Sequence, residues 1–169
     1  MTCPGEIKGE ISSEAVPLEE LERPVMDDAG ATYSEKVIAH SLNPRNVGEF
    51  ERPDGLGRAS RPCGDTLQIC LQVRDGRVVD ARFVTDGCGP TIACGSMATE
   101  LVKGRTITEA LAITGDDILN ALDGLPESEV HCAALATNTL KLALSDYVSL
   151  QREPWKRAYR KIEPFVPGS

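Results

Sequence analysis

"TLQICLQVRDGRVVDARFVT", residues 66–85, decides the fold class of this chain. Leu67, Ile69, Leu71 and Val73 alternate with Gln68, Cys70 and Gln72, the period-2 pattern of a strand with one face in a core. Asp75-Gly76 offers two residues that tolerate positive φ, so the chain turns back tightly and 77–85 returns as the antiparallel partner. The alternation predicts a half-buried first strand, with Cys70 as a structural residue on the face away from the core. A third strand is expected within 56–61, just ahead of the hairpin.

Helical signals flank this hairpin. In "YSEKVIAHSLNP", residues 33–44, Ser34 is placed to cap a helix that carries Val37, Ile38 and Leu42, and Asn43-Pro44 stops it. His40 reads there as a satisfied polar residue. "DGCGPTIACGSMATELVKG", residues 86–104, reads as a glycine-rich turn feeding a helix that ends at Gly104. "TITEALAIT" and "DDILNAL" predict two shorter helices. A long last helix starts near His131 and runs to about Leu150, with Ala136, Leu140, Ala143, Leu144 and Tyr147 on one stripe. Strands first and helices afterwards predict an α+β domain: a small antiparallel sheet of about three strands with helices packed on one face.

Three segments follow from composition: an acidic, flexible arm at 1–32, a compact domain at 33–150 and a basic tail or helix extension at 151–169. The arm carries a net charge of −6 and the tail +3, out of −8 for the 169-residue chain, leaving −5 between them. An overall −8 argues against a general nucleic-acid or anionic-membrane surface. No apolar run approaches the ~18 residues that cross a bilayer, and the N-terminus has no secretory pattern. A cytoplasmic location is therefore expected.

Six cysteines in such a chain point to thiolate or metal chemistry rather than to disulfides. Cys63, in "RPCGD", precedes the first hairpin strand, and Cys88, in "DGCGP", follows the second. Antiparallel pairing puts these two loops at one end of the sheet. If the last helix begins at that end, Cys132 and His131 join them, and Asp65 lies beside Cys63. Glycines around Cys88 and after Cys63 permit turns that aim sulfur outward, and a helix start lowers the pKa of a thiol such as Cys132. Such a set of S, N and O donors suits tetrahedral Zn²⁺ or one small iron–sulfur cluster. Cys3 reads as incidental and Cys94 as packed inside its helix. "GLG" at 55–57 is too short for a phosphate loop, and no C-x-x-C pair is present.

With these motifs in place, the chain resembles the iron–sulfur cluster assembly scaffold family of the IscU and NifU N-terminal type. "YSEKVIAHSLNPRNVGEF", "CGDTLQICLQVRDGRVVDARFVTDGCG", "MATELVKGRTITEALAI" and "HCAALA" carry the resemblance, from about Tyr33 to Leu150. It implies a scaffold rather than an enzyme. On such a scaffold a transient [2Fe–2S] cluster is built from iron and the sulfur of a cysteine desulfurase, then passed to iron–sulfur acceptor proteins. Residue by residue it implies Cys63, Cys88 and Cys132 as ligands, Asp65 or His131 as the fourth, and Cys132 as the persulfide acceptor. Zinc is the alternative occupant of purified protein, and homo-oligomers are left open. Two other readings use the same residues: a stable zinc-binding module, and a sulfur-transfer catalyst with Cys132 as nucleophile and His131 as base. "LPESE" at 125–129 stands where chaperone-served bacterial scaffolds carry "LPPVK", which argues against a dedicated Hsp70-type chaperone.

Overall fold

A computed structural model describes residues 33–62 and 64–167; Cys63, Cys3 and the acidic arm at 1–32 lie outside the described residues. Helix α1 (Glu35–Leu42) leads into strands β1 (Gly55–Ser60), β2 (Thr66–Arg74) and β3 (Arg77–Thr85). Helices α2 (Gly89–Val102), α3 (Ile107–Leu111) and α4 (Gly115–Ala121) follow, then a 3-10 turn at Glu127–Glu129, the long α5 (Val130–Arg152) and a short α6 (Lys156–Tyr159). The sheet is antiparallel throughout, in the order β1-β2-β3. The α+β class and the three-stranded sheet read from the sequence are those observed.

The local reasons match the sequence signals. Asp75 and Gly76 sit at φ +52° and +72°, as a two-residue turn whose twist suits the hairpin requires. Ser34 caps α1, its hydroxyl accepting from the Val37 amide at 3.2 Å. His40 is buried, with Nδ1 2.7 Å from the Ser96 hydroxyl.

Leu67, Ile69, Leu71, Val78 and Phe83 form the sheet side of the core, and Ala136, Leu140, Ala143 and Leu144 of α5 form the helix side. The helix comes unusually near. A Cβ added to Gly57 would lie 2.3 Å from the Thr139 carbonyl oxygen, and one added to Gly55 would lie 2.4 Å from that of Ala143. The two glycines of "GLG" are thus there for the close approach of β1 and α5.

One expectation needs correction. β2 is not half-buried: Gln68 and Cys70, on the face away from the helices, are as buried as their neighbours. The reason is a second cover on that face. Glu49 holds the Gln68 amide and, at 3.3 Å, accepts from the Phe165 backbone amide. Arg58 bonds Gln68 at 2.9 Å and stacks over Phe165, while Arg82 stacks over Phe50. The tail therefore does not prolong α5. It leaves at Glu153, and Arg160 ties it back to Asp146 and to the Pro53 carbonyl. Alternation alone could not reveal a loop and a tail laid over polar residues. Among the described residues, no helix is long and apolar enough to cross a membrane.

Candidate functional site

The end of the sheet where β2 begins and β3 ends is tied together by short bonds. The Asp86 carboxylate accepts from the Thr66 amide at 2.7 Å, and the Thr85 hydroxyl donates to the Thr66 carbonyl at 2.7 Å. Asp65 sits at one side of this knot and Cys88 at the other. Cys88 is the N-cap of α2, exposed and extended in backbone (φ −72°, ψ 176°), and its side chain caps nothing. The first turn of α5 arrives at the same place, bringing Cys132.

Thr91, one turn into α2 and buried, joins the three. Its hydroxyl lies 3.5 Å from Cys88 Sγ, 3.4 Å from Cys132 Sγ and 3.3 Å from an Asp65 oxygen. A Cβ at position 87 would fall 2.7 Å from Thr91 Cγ2, so the glycine before Cys88 is required by packing. Asp65 is also paired with Arg61 at 3.6 Å.

Among the described residues, one set of Cys, His, Asp and Glu side chains has its donor atoms all within 4.8 Å of one another: Cys88, Cys132 and Glu129. Glu129 ends the 3-10 turn and reaches one turn along α5, its carboxylate 3.6 Å from Cys132 Sγ. His131 does not join this set; its Nε2 stands 3.8 Å from Glu129 on a side chain 41% exposed. Among the described residues, Asp65 is linked to Cys88 and Cys132 through the Thr91 hydroxyl. In the sequence Glu129 stands out only within "LPESE", as a departure bearing on a chaperone; as donors beside the thiols neither it nor Thr91 is legible, because a glutamate in a turn and a threonine in a helix are ordinary. The only available signal was the i, i+3 spacing of Glu129 from Cys132, which puts both on one helix face.

The expected lowering of the Cys132 pKa does not occur. Burial comes first, and the nearby Cys88 and Glu129 add to it, so the thiol is pushed up to about 12 despite the helix start and a bond from Thr91. Cys94, deeper in α2 and fully buried, is pushed higher still, by burial first and then by Cys132, Cys88 and Glu129. Desolvation outweighs a partial dipole charge that is screened within a turn. Near neutral pH the Cys132 thiol is therefore held in its protonated form. Brief treatment of the metal-free protein with iodoacetamide should therefore modify Cys88 and spare Cys132, Cys94 and Cys70 until denaturant is added. Peptide mass mapping reads the result, and equal labelling of Cys88 and Cys132 would contradict it. A cation reverses this balance, because it takes the place of the proton.

The fold and this edge define a small α+β protein that gathers thiols and carboxylates at the starts of two helices. A family profile described as NifU-like N terminal domain matches residues 32–153. The iron-sulfur cluster assembly scaffold protein IscU 1 of Archaeoglobus fulgidus is 50% identical over 116 residues, covering 68% of this chain and 76% of that protein. IscU of Escherichia coli strain K12 is 48% identical over 122 residues, covering 69% and 94%. Two crystal structures share the fold at 20% identity. One is the N-terminal part of a nitrogen-fixing NifU-like protein from Brucella abortus (TM-score 0.55, covering 69% of this chain and 94% of that one). The other is a putative iron-sulfur cluster assembly scaffold protein for the SUF system from Fervidobacterium islandicum AW-1 (TM-score 0.54, covering 66% and 96%). The chain belongs to the iron–sulfur cluster assembly scaffold family of the IscU and NifU N-terminal type.

Proposed function

We propose that this protein is a scaffold, not an enzyme, on which a [2Fe–2S] cluster is assembled from iron and the sulfur of a cysteine desulfurase, then handed to acceptor proteins. The observation that carries the reading is the meeting of an exposed Cys88, a buried Cys132 and the Glu129 carboxylate within 4.8 Å at one end of the sheet. Cys63, matched by the family motif, is the third thiol in this reading and lies outside the described residues. The donor chemistry fits the cargo. Thiolates are the usual holders of iron–sulfur clusters, and an oxygen or nitrogen fourth partner holds one less firmly than a fourth thiolate. The N-termini of the 14-residue α2 and the 23-residue α5 supply positive ends beside an anionic guest.

The side chains divide the work by exposure. Cys88 is open to an arriving ion. Cys132, the persulfide acceptor in this reading, is 0% exposed, so sulfur delivery there requires the side chains against it, Glu129 among them, to part. In that step its thiolate attacks the outer sulfur of the donor persulfide, a new S–S bond forms as the old one breaks, and the desulfurase thiol leaves. Exchange of this kind is favoured when the attacking thiol loses its proton readily, and parting of these side chains rehydrates Cys132 and moves the Glu129 carboxylate away. Thiolate chemistry of this sort belongs in a reducing compartment, and we place the protein in the cytoplasm.

Anaerobic reconstitution with ferrous iron and sulfide tests the reading. A coloured protein with visible sulfur-to-iron charge transfer is expected, and the colour should pass to an apo-ferredoxin on mixing. A protein that stays colourless while retaining stoichiometric zinc would instead support a zinc-binding module, which the same donors suit.

A further inference from the structure

The structure assigns Glu129 as an oxygen ligand to the incoming metal ion, completing a Cys88–Cys132–Glu129 site. This inference rests on the scaffold reading and sharpens it, because it names a ligand outside the set of Cys63, Asp65, Cys88, His131 and Cys132. The first argument is distance. Glu129 shares the 4.8 Å grouping with the two thiols, whereas neither Asp65 nor His131 completes it. The second is engagement. The Asp65 carboxylate is paired with Arg61 and accepts from Thr91, so turning it to a metal breaks existing bonds. Glu129 makes no capping bond to α5; its carboxylate lies against the Cys132 thiol and an exposed imidazole. The third is access. The Glu129 side chain is 24% exposed and lies at the surface end of a cluster whose inner sulfur is buried, so it can meet an ion before the inner thiol does.

The chemistry favours ions of borderline softness. The two described thiolates and the carboxylate form a mixed sulfur–oxygen set, to which Cys63 would add a third sulfur, and such a set suits Fe²⁺, Co²⁺ or Zn²⁺. A soft ion such as Cd²⁺ draws its affinity from the sulfurs and gains little from the oxygen. Loss of Glu129 should therefore discriminate between ions.

The full-length metal-free protein is titrated with Co²⁺ and separately with Cd²⁺ under nitrogen, in wild type, Glu129→Gln, Asp65→Asn and Cys88→Ser. Thiolate-to-cobalt charge transfer reports the sulfurs, and the ligand-field bands report the number and kind of ligands. Glu129→Gln is expected to weaken Co²⁺ about tenfold or more, to alter the ligand-field bands and to leave Cd²⁺ within about threefold. Unchanged Co²⁺ affinity and bands in Glu129→Gln overturn the assignment. So does a large Co²⁺ loss confined to Asp65→Asn, or an equal loss of both ions in Glu129→Gln, which marks disturbed thiol geometry. If wild type takes up no Co²⁺, or Cys88→Ser takes it up as well as wild type, the scaffold reading fails and this inference with it.

Discussion

Replacing Cys88 by serine should abolish the visible charge-transfer absorption of protein reconstituted with ferrous iron and sulfide, while leaving the fold intact or slightly stabilised. Both halves follow from where Cys88 sits. It is the N-cap of α2, with extended backbone and no capping bond from its sulfur. Serine is among the best N-cap residues, and its hydroxyl can accept from a first-turn amide that cysteine leaves unserved, a gain of up to about 1 kcal/mol. The same exchange removes a thiolate and leaves an alcohol that does not ionise near neutral pH. A cluster held partly by oxygen or nitrogen has little reserve once a thiolate is lost. Absorbance after desalting checks the first half, and the midpoint of thermal unfolding checks the second. Retention of the wild-type spectrum would remove Cys88 from the site. Loss of colour accompanied by a drop in the midpoint would show that the substitution acted on the fold.

Gly57→Val should cost at least about 3 kcal/mol, toward or beyond the upper end of overpacking penalties. The contacts a side chain would meet are mostly backbone: the Thr139 carbonyl oxygen at 2.3 Å, the Ala143 nitrogen at 2.5 Å and Leu142 Cβ at 3.0 Å. Backbone atoms of a helix cannot rotate away, so β1 and α5 must separate. Separation would loosen the core that Leu67 and Ile69 share with Leu140 and Ala143, and it would strain the bond from the Leu56 amide to Asp146. Domains of this size lose about 2–4 °C of unfolding midpoint per kcal/mol, so a fall of about 10 °C is expected. Denaturant titration with an unchanged slope is the matching check. A loss below about 1 kcal/mol would mean that the two elements are not held as close as they stand. Gly57→Ala should lie between the two, since a single Cβ already makes the contact.

These two positions also show how far the chain could be read unaided. The hairpin at 66–85 was legible because alternation and a two-residue turn are local properties, enforced by the pleat and by backbone sterics. The capped start of α1 and the stripe of α5 were legible for the same reason. The shared edge of Asp65, Cys88 and Cys132 followed from antiparallel pairing and from the direction of one helix. The glycines at 55 and 57 were visible but not interpretable, because their purpose lies in a helix more than 80 positions further on. The polar face of β2 was misread for a similar reason: its cover comes from residues 49–50 and 165, remote in the chain.

By itself, the sequence determined the hairpin, the helices and the residue types that can hold iron and sulfur, because propensity, periodicity and donor chemistry act over a few residues. Tertiary structure alone decided how each donor is presented. It left Cys88 exposed, buried Cys132 and raised its pKa, tied Asp65 to Arg61 and turned Glu129 toward the sulfurs. Burial and electrostatics depend on what the rest of the chain brings within a few ångströms, and no local pattern carries that information.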